Sequence, residues 1–147
     1  MIQTEHFTFS EFVMSSTAIR HGIDNTPSQN LLPNIKRTLD GLERIRSAIG
    51  LPIHINSGFR CDQLNRLMGS HKSSQHLKGQ AADIIAPKYG NPYKLALAIV
   101  EDSNIINFDS LILEFGHWVH ISFTAIPRNS VFTIRNLKEG YIKGLVL

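Results

Sequence analysis

Residues 109–123 read DSLILEFGHWVHISF: two apolar runs, DSLILEF and WVHISF, on either side of Gly116 and His117. Short runs rich in β-branched and aromatic residues, broken by a glycine-containing pair, predict a β-hairpin turned at Gly116 and His117. Within the second run, Val119 and Ile121 point to one face by strand alternation, so His120 projects from the other. A polar side chain therefore stands on a rigid, otherwise apolar strand.

Working outward, AADII (81–85) is a short apolar strand candidate and PIHIN (52–56) alternates like a half-buried strand. VFTI (131–134) adds an edge strand in the tail that follows Ala125. Between and before them lie helices. Leu31, Ile35, Leu39, Leu42, Ile45 and Ile49 recur at threes and fours, with Pro33 tolerable in the first turn and Gly50 as the stop. NPYKLALAIVEDS reads as a helix opened by Asn91 and Pro92, CDQLNRLMG as a short helix, and FTFSEF as another capped by Ser10. GSHKSSQHLKGQ is a polar loop. Helices come first and strands gather late without βαβ alternation, which predicts an α+β fold with helices on a small antiparallel sheet.

The chain has 147 residues, enough for one domain, 1–147, to bury a core without disulfides, and no stretch has the composition of a linker. Net charge is +3, with the basic residues scattered instead of striped, so no nucleic-acid partner is expected. Cys61 is the single cysteine, which excludes an internal disulfide and a multi-thiolate metal site. The opening MIQTEHFTFSEF has early acids and no apolar run, so neither a secretory signal nor a membrane span is expected there. A protein of this kind that acts outside a cytoplasm must be carried or released by something else.

Of the seven histidines, His6, His21, His54, His71 and His117 read first as solvated or hydrogen-bonded side chains. His76 and His120 stand apart. His76 precedes Asp83 by seven residues across LKGQAA, the spacing of a loop residue followed by a strand residue. A carboxylate in the apolar strand AADII is costly to bury without a cationic partner. Two neutral imidazoles and one carboxylate would leave the fourth tetrahedral position of Zn²⁺ open to water, the pattern of a catalytic site. The alternative is a salt-bridged Asp83 beside two unrelated histidines. HExxH, GxSxG and Walker sequences are absent from the chain.

From about Ile53 to Phe123 the chain resembles the M15 family of zinc peptidases, in its D-alanyl-D-alanine carboxypeptidase-like branch found in phage and prophage genes. The resemblance rests on SxHxxGxAxD, here Ser74, His76, Gly79, Ala81 and Asp83, and on WxH, here Trp118 and His120. It implies a fold shared with vancomycin-resistance dipeptidases and the hedgehog signalling domain. It also implies a zinc cofactor held by His76, Asp83 and His120, and hydrolysis of peptidoglycan stem peptides as a D-alanyl-D-alanine carboxypeptidase or an endolysin-type endopeptidase; a monomer is expected. Arg60, in SGFR, matches the family arginine that faces substrate; a guanidinium there can clamp a carboxylate or stabilise a developing oxyanion.

Relatives place Asp, Glu or sometimes His three residues before the last ligand, and this chain has His117. An imidazole can shuttle protons, so His117 is the slightly favoured acid/base and Glu114 its competitor. The hairpin decides between them: a turn with an odd number of residues puts Glu114 on the face of His120, a two-residue turn on the opposite face. Asn65, Ser74 and Gln75 are candidates to hydrogen-bond the ligand loop or the substrate, and Trp118 reads as a packing residue that orients the hairpin more readily than as a substrate platform. Two other readings stay open: a wall-peptide-binding module of the same fold that does not cut, and a structural component of a phage particle.

Overall fold

The computed structural model describes residues 2–147. Its longest element, α3 (Leu32–Ile49), follows a single turn of 3-10 helix at Gln29–Leu31. The periodic positions decide its orientation: Ile35, Leu39, Leu42 and Ile45 have no accessible surface, while the intervening charged residues face outward. Each buried side chain of this kind contributes about 1.5–3 kcal/mol. Gly50 closes the helix in the left-handed conformation, φ 70°, as its position predicted. A Cβ on Gly41 would run into the ring of Phe123, so α3 approaches the sheet through a residue with no side chain.

The other helices are short. They are α1 (Phe9–Val13), α2 (Ser16–Arg20), α4 (Asp62–Leu67), α5 (Pro92–Glu101) and α6 (Ser103–Ile106). Asn91 caps α5 by accepting from the Lys94 N–H, as expected. The cap of α1 is Thr8, which accepts from Glu11 N–H at 3.1 Å, and not Ser10, which lies inside the helix. Burial of Phe7 and Phe12 sets that frame, since both anchor the amino-terminal segment in the core.

Six strands form one sheet: β1 (His54–Ser57), β2 (Ala81–Ile85), β3 (Ser110–Glu114), β4 (Trp118–Ser122), β5 (Ser130–Ile134) and β6 (Tyr141–Lys143). Their order is β1-β2-β4-β3-β5-β6, and every pairing is antiparallel except β3 with β5. The α+β class holds. The expected edge position of VFTI does not: β5 lies between β3 and β6, and the edge on that side is β6, whose YIK is too short for alternation to register.

Alternation divides the sheet into two chemistries. Ala82, Ile84, Leu111, Val119 and Ile121 are fully buried in one core with α3 and α5. The opposite face carries Asp83, Ile112 and His120 side by side, because Asp83 pairs with His120 and His120 with Ile112. A register shift between Ile55 and Ser57 brings Ser57 opposite Asp83, onto that same face.

The hairpin turn differs by one residue from its expected position. Phe115 and Gly116 both take left-handed φ, 58° and 67°, and the His117 N–H closes the turn on the Glu114 carbonyl at 2.9 Å. A left-handed conformation costs a residue like Phe about 1–2 kcal/mol. Two tertiary contacts offset it: Phe115 N–H donates to Ile134 O at 2.7 Å, and its ring packs edge-on against Trp118. Glu114 therefore faces Trp118 across the strands, with Phe115, Gly116 and His117 between them.

Candidate metal centre

Three elements converge on the polar face of the sheet. Asp83 from β2 and His120 from β4 are directly opposed, and His76 arrives on a turn of 3-10 helix, Gln75–Lys78. Ser74 opens that turn by accepting from His76 N–H at 3.2 Å. Gly79 ends it at φ 71°, where a Cβ would also press against Ile35 at 2.7 Å. The conformational demand on Gly79 thus fixes where His76 points.

His76 Nδ1 lies 2.7 Å from the Gly58 carbonyl. A carbonyl only accepts, so Nδ1 carries the proton and Nε2 presents its lone pair inward. Nε2 is 3.2 Å from Asp83 Oδ1, as is His120 Nδ1 from the other side. The three ligand atoms all lie within 4.8 Å of one another. Tetrahedral ligands at about 2.0–2.1 Å from a zinc ion sit about 3.3 Å apart, so the donor set fits such an ion in chemistry and spacing. His76, Asp83 and His120 could hold a metal.

The electrostatics suit that role. Burial pushes the Asp83 carboxyl up, but the two imidazoles pressed against it, His76 first and then His120, outweigh that and hold the group well below the usual carboxylate range. Burial lowers the His76 pKa below the ordinary imidazole value, favouring the neutral form that ligates.

Arg60 is almost wholly buried behind the triad. It donates to Ser70 Oγ at 2.6 Å, to Ser57 Oγ at 3.2 Å and, at a longer 3.4 Å, to Asp83 Oδ2. Burial lowers its pKa, opposed by Asp83 and then Glu114, and a guanidinium so placed keeps its charge. The loop that follows Ser57 is tied to the amino-terminal segment by Asn25, which donates to Val13 O and Phe59 O and accepts from Cys61 N–H.

Glu114 shares the face of His120, 3.8 Å from its Nδ1, and accepts from Trp118 Nε1 at 3.1 Å. Burial, and next the negative charge of Asp83, raise its carboxyl above the ordinary glutamate value. His117 sits exposed in the turn, off the cleft wall that Glu114 and Trp118 line. Asn65 Nδ2 donates to His71 O at 3.0 Å, so it braces the ligand loop as expected.

Two features escaped the sequence. Asp109 is buried and accepts from Arg128 and Gln75; its position just before an apolar strand carries the same signal that singled out Asp83. Leu137 and Tyr141, from the tail, wall the far side of the cleft. The cleft, about 730 Å³ and open to solvent, is lined by all three candidate ligands together with Arg60 and Glu114. That volume accommodates a short peptide segment.

Among the described residues no helix is long and apolar enough to cross a membrane. No curated protein matches the chain. Residues 5–122 match the family model described as Peptidase M15, a span that takes in His76, Asp83, His120 and the elements that bring them together. The chain therefore belongs to the M15 peptidase family.

Proposed function

We propose that the protein is a zinc-dependent peptidase that hydrolyses peptide bonds in bacterial peptidoglycan stem peptides, with His76, Asp83 and His120 as the metal ligands. The observation that carries this reading is the direct opposition of Asp83 and His120 on an open polar face, with His76 Nε2 turned toward them. Family membership supports the peptidase chemistry. The motif resemblance supports the wall-peptide substrate and an origin among phage or prophage enzymes.

Zinc bound by these three side chains supplies Lewis acidity toward the scissile carbonyl and makes water a nucleophile at neutral pH. Glu114 is the proton acceptor in this reading. Its carboxyl faces the ligand cluster, and its raised proton affinity suits a proton acceptor. Having taken the proton from the attacking water, Glu114 returns it to the leaving amine. His117 is the weaker candidate because it sits exposed in the turn and is not among the residues that line the cleft. Arg60 keeps a buried positive charge beside the reacting carbonyl and steadies Asp83.

The test is digestion of purified sacculi by the zinc-loaded protein, with mass spectrometry of the released peptides and metal analysis of the same sample. About one zinc per chain and cleavage at a defined stem-peptide bond are expected. His76→Ala, Asp83→Ala and His120→Ala should each lose most of the metal and the activity. Intact sacculi after incubation with the fully loaded protein would overturn the peptidoglycan reading, and full zinc occupancy in all three variants would overturn the ligand assignment.

A further inference from the structure

The cleft contains a cation that the proposed chemistry leaves idle. Arg128 lines it with its side chain 68% exposed, while its partner Asp109 is buried. Asp109 Oδ1 accepts from Arg128 N–H at 3.2 Å and from Nε at 2.9 Å, and Oδ2 accepts from Nη2 at 2.8 Å. Gln75 Nε2 adds a further bond to Oδ2 at 2.9 Å. The fork formed by Nε and Nη2 is thus occupied, and Nη1 has no hydrogen-bond partner among the described residues. The two partners of this ion pair differ sharply in burial. The pair hides the carboxylate and holds the guanidinium outward in a fixed pose, with its side-chain entropy already lost before any ligand arrives.

Position and polarity then suggest what the cation meets. Asp109 immediately precedes β3, three residues before Ile112, which pairs with His120. At about 3.4 Å per strand residue, the anchor lies about 10 Å along the sheet from the metal centre. That is the reach of one or two peptide residues plus a guanidinium-carboxylate contact. At the other end of the same strand stands Glu114, so the cleft is basic at the start of β3 and acidic at its end. A peptide lying along this face is favoured with its carboxylate end at Arg128 and disfavoured the other way round.

Resting on the peptidase reading above, we propose that Arg128, anchored by Asp109, is a specificity-determining residue that binds the free terminal carboxylate of the substrate peptide. The protein then acts near the carboxyl end of its substrates. Gln75 links the anchor to the turn that carries His76, which places the carboxylate site and the metal centre on one braced segment.

The experiment compares N-acetyl-L-lysyl-D-alanyl-D-alanine with its C-terminal amide, using zinc-loaded wild type, Arg128→Gln, and the double variant Arg128→Gln with Asp109→Asn. The double variant strands no buried charge and guards against a folding defect. Wild type should prefer the acid at least tenfold in kcat/KM, mainly through KM. Both variants should reduce that ratio to near one while their kcat on the amide stays within about threefold of wild type. Calorimetric Kd values for the same two peptides, measured in zinc-loaded Glu114→Gln with and without Arg128→Gln, give a readout independent of turnover. A tenfold acid preference that disappears with Arg128→Gln supports the site even if wild type hydrolyses neither peptide, an outcome that would instead overturn the peptidase reading on this substrate class. A preference that survives the loss of Arg128, or no preference in wild type by either measure, overturns the proposal.

Discussion

Trp118 Nε1 donates a hydrogen bond to Glu114 Oε1 at 3.1 Å, across the closed end of the hairpin. The two residues are cross-strand partners, and their pairing turns the Glu114 carboxylate toward His120 instead of leaving it to sample solvent. Trp118→Phe keeps a packed ring and removes only the donor. A hydrogen bond to a charged acceptor is worth about 1.5–3 kcal/mol, and losing part of it as orientation should lower kcat about tenfold with KM little changed. Steady-state kinetics on a stem-peptide substrate provide the check; unchanged kcat would mean that Glu114 needs no such support.

The rank of the two candidate bases is a second expectation. Glu114→Gln should cost on the order of a hundredfold or more in kcat while zinc content is retained, whereas His117→Ala should stay within about twofold. The opposite order would return the role to His117.

Gly79→Ala should be disproportionately damaging for so small a change. The left-handed φ costs about 1–2 kcal/mol for any residue with a Cβ, and contact with Ile35 adds to it. Relief requires the turn to shift, and His76 shifts with it. Urea unfolding should therefore show a lower midpoint, and zinc titration a weaker affinity, in the same variant. A variant destabilised but binding zinc normally would separate the turn from the ligand.

Part of the acid sensitivity should trace to Asp109. Hydrogen bonds from Arg128 hold its carboxyl down to about 2, below the ordinary aspartate value. A depressed folded-state pKa contributes stability above the ordinary value, and that contribution is lost as pH falls from about 4 toward 2. Denaturant midpoints measured across this window should decline in wild type, and the decline should be shallower in the Asp109→Asn, Arg128→Gln double variant. Parallel profiles would assign the acid sensitivity elsewhere.

Much of this architecture was legible because its signals are local. The Leu31-to-Ile49 periodicity and Gly50 gave α3, alternation gave β1, and short apolar runs gave β2 and the β3-β4 hairpin. The misfit of Asp83 in an apolar strand pointed to a cation. What escaped depends on distant partners. The turn moved onto Phe115 because Ile134, from another strand, takes its N–H. That one-residue change decides which face Glu114 occupies. Arg128 and Asp109 are nineteen positions apart with no periodic relation, and β5 is placed by parallel pairing with β3, for which a single sequence carries no spacing rule.

The opposition of Asp83 and His120 also orders events in time. The two residues are separated by thirty-seven positions, and β4 must dock beside β2 before they meet. Closing so long a loop is slow compared with forming α3 or the hairpin. A nascent chain therefore has no complete metal site until residues beyond His120 have emerged and the centre of the sheet has zipped. Zinc capture then reports the pairing of β2 with β4: a stopped-flow zinc indicator should respond together with or after the burial of the core, and not ahead of it.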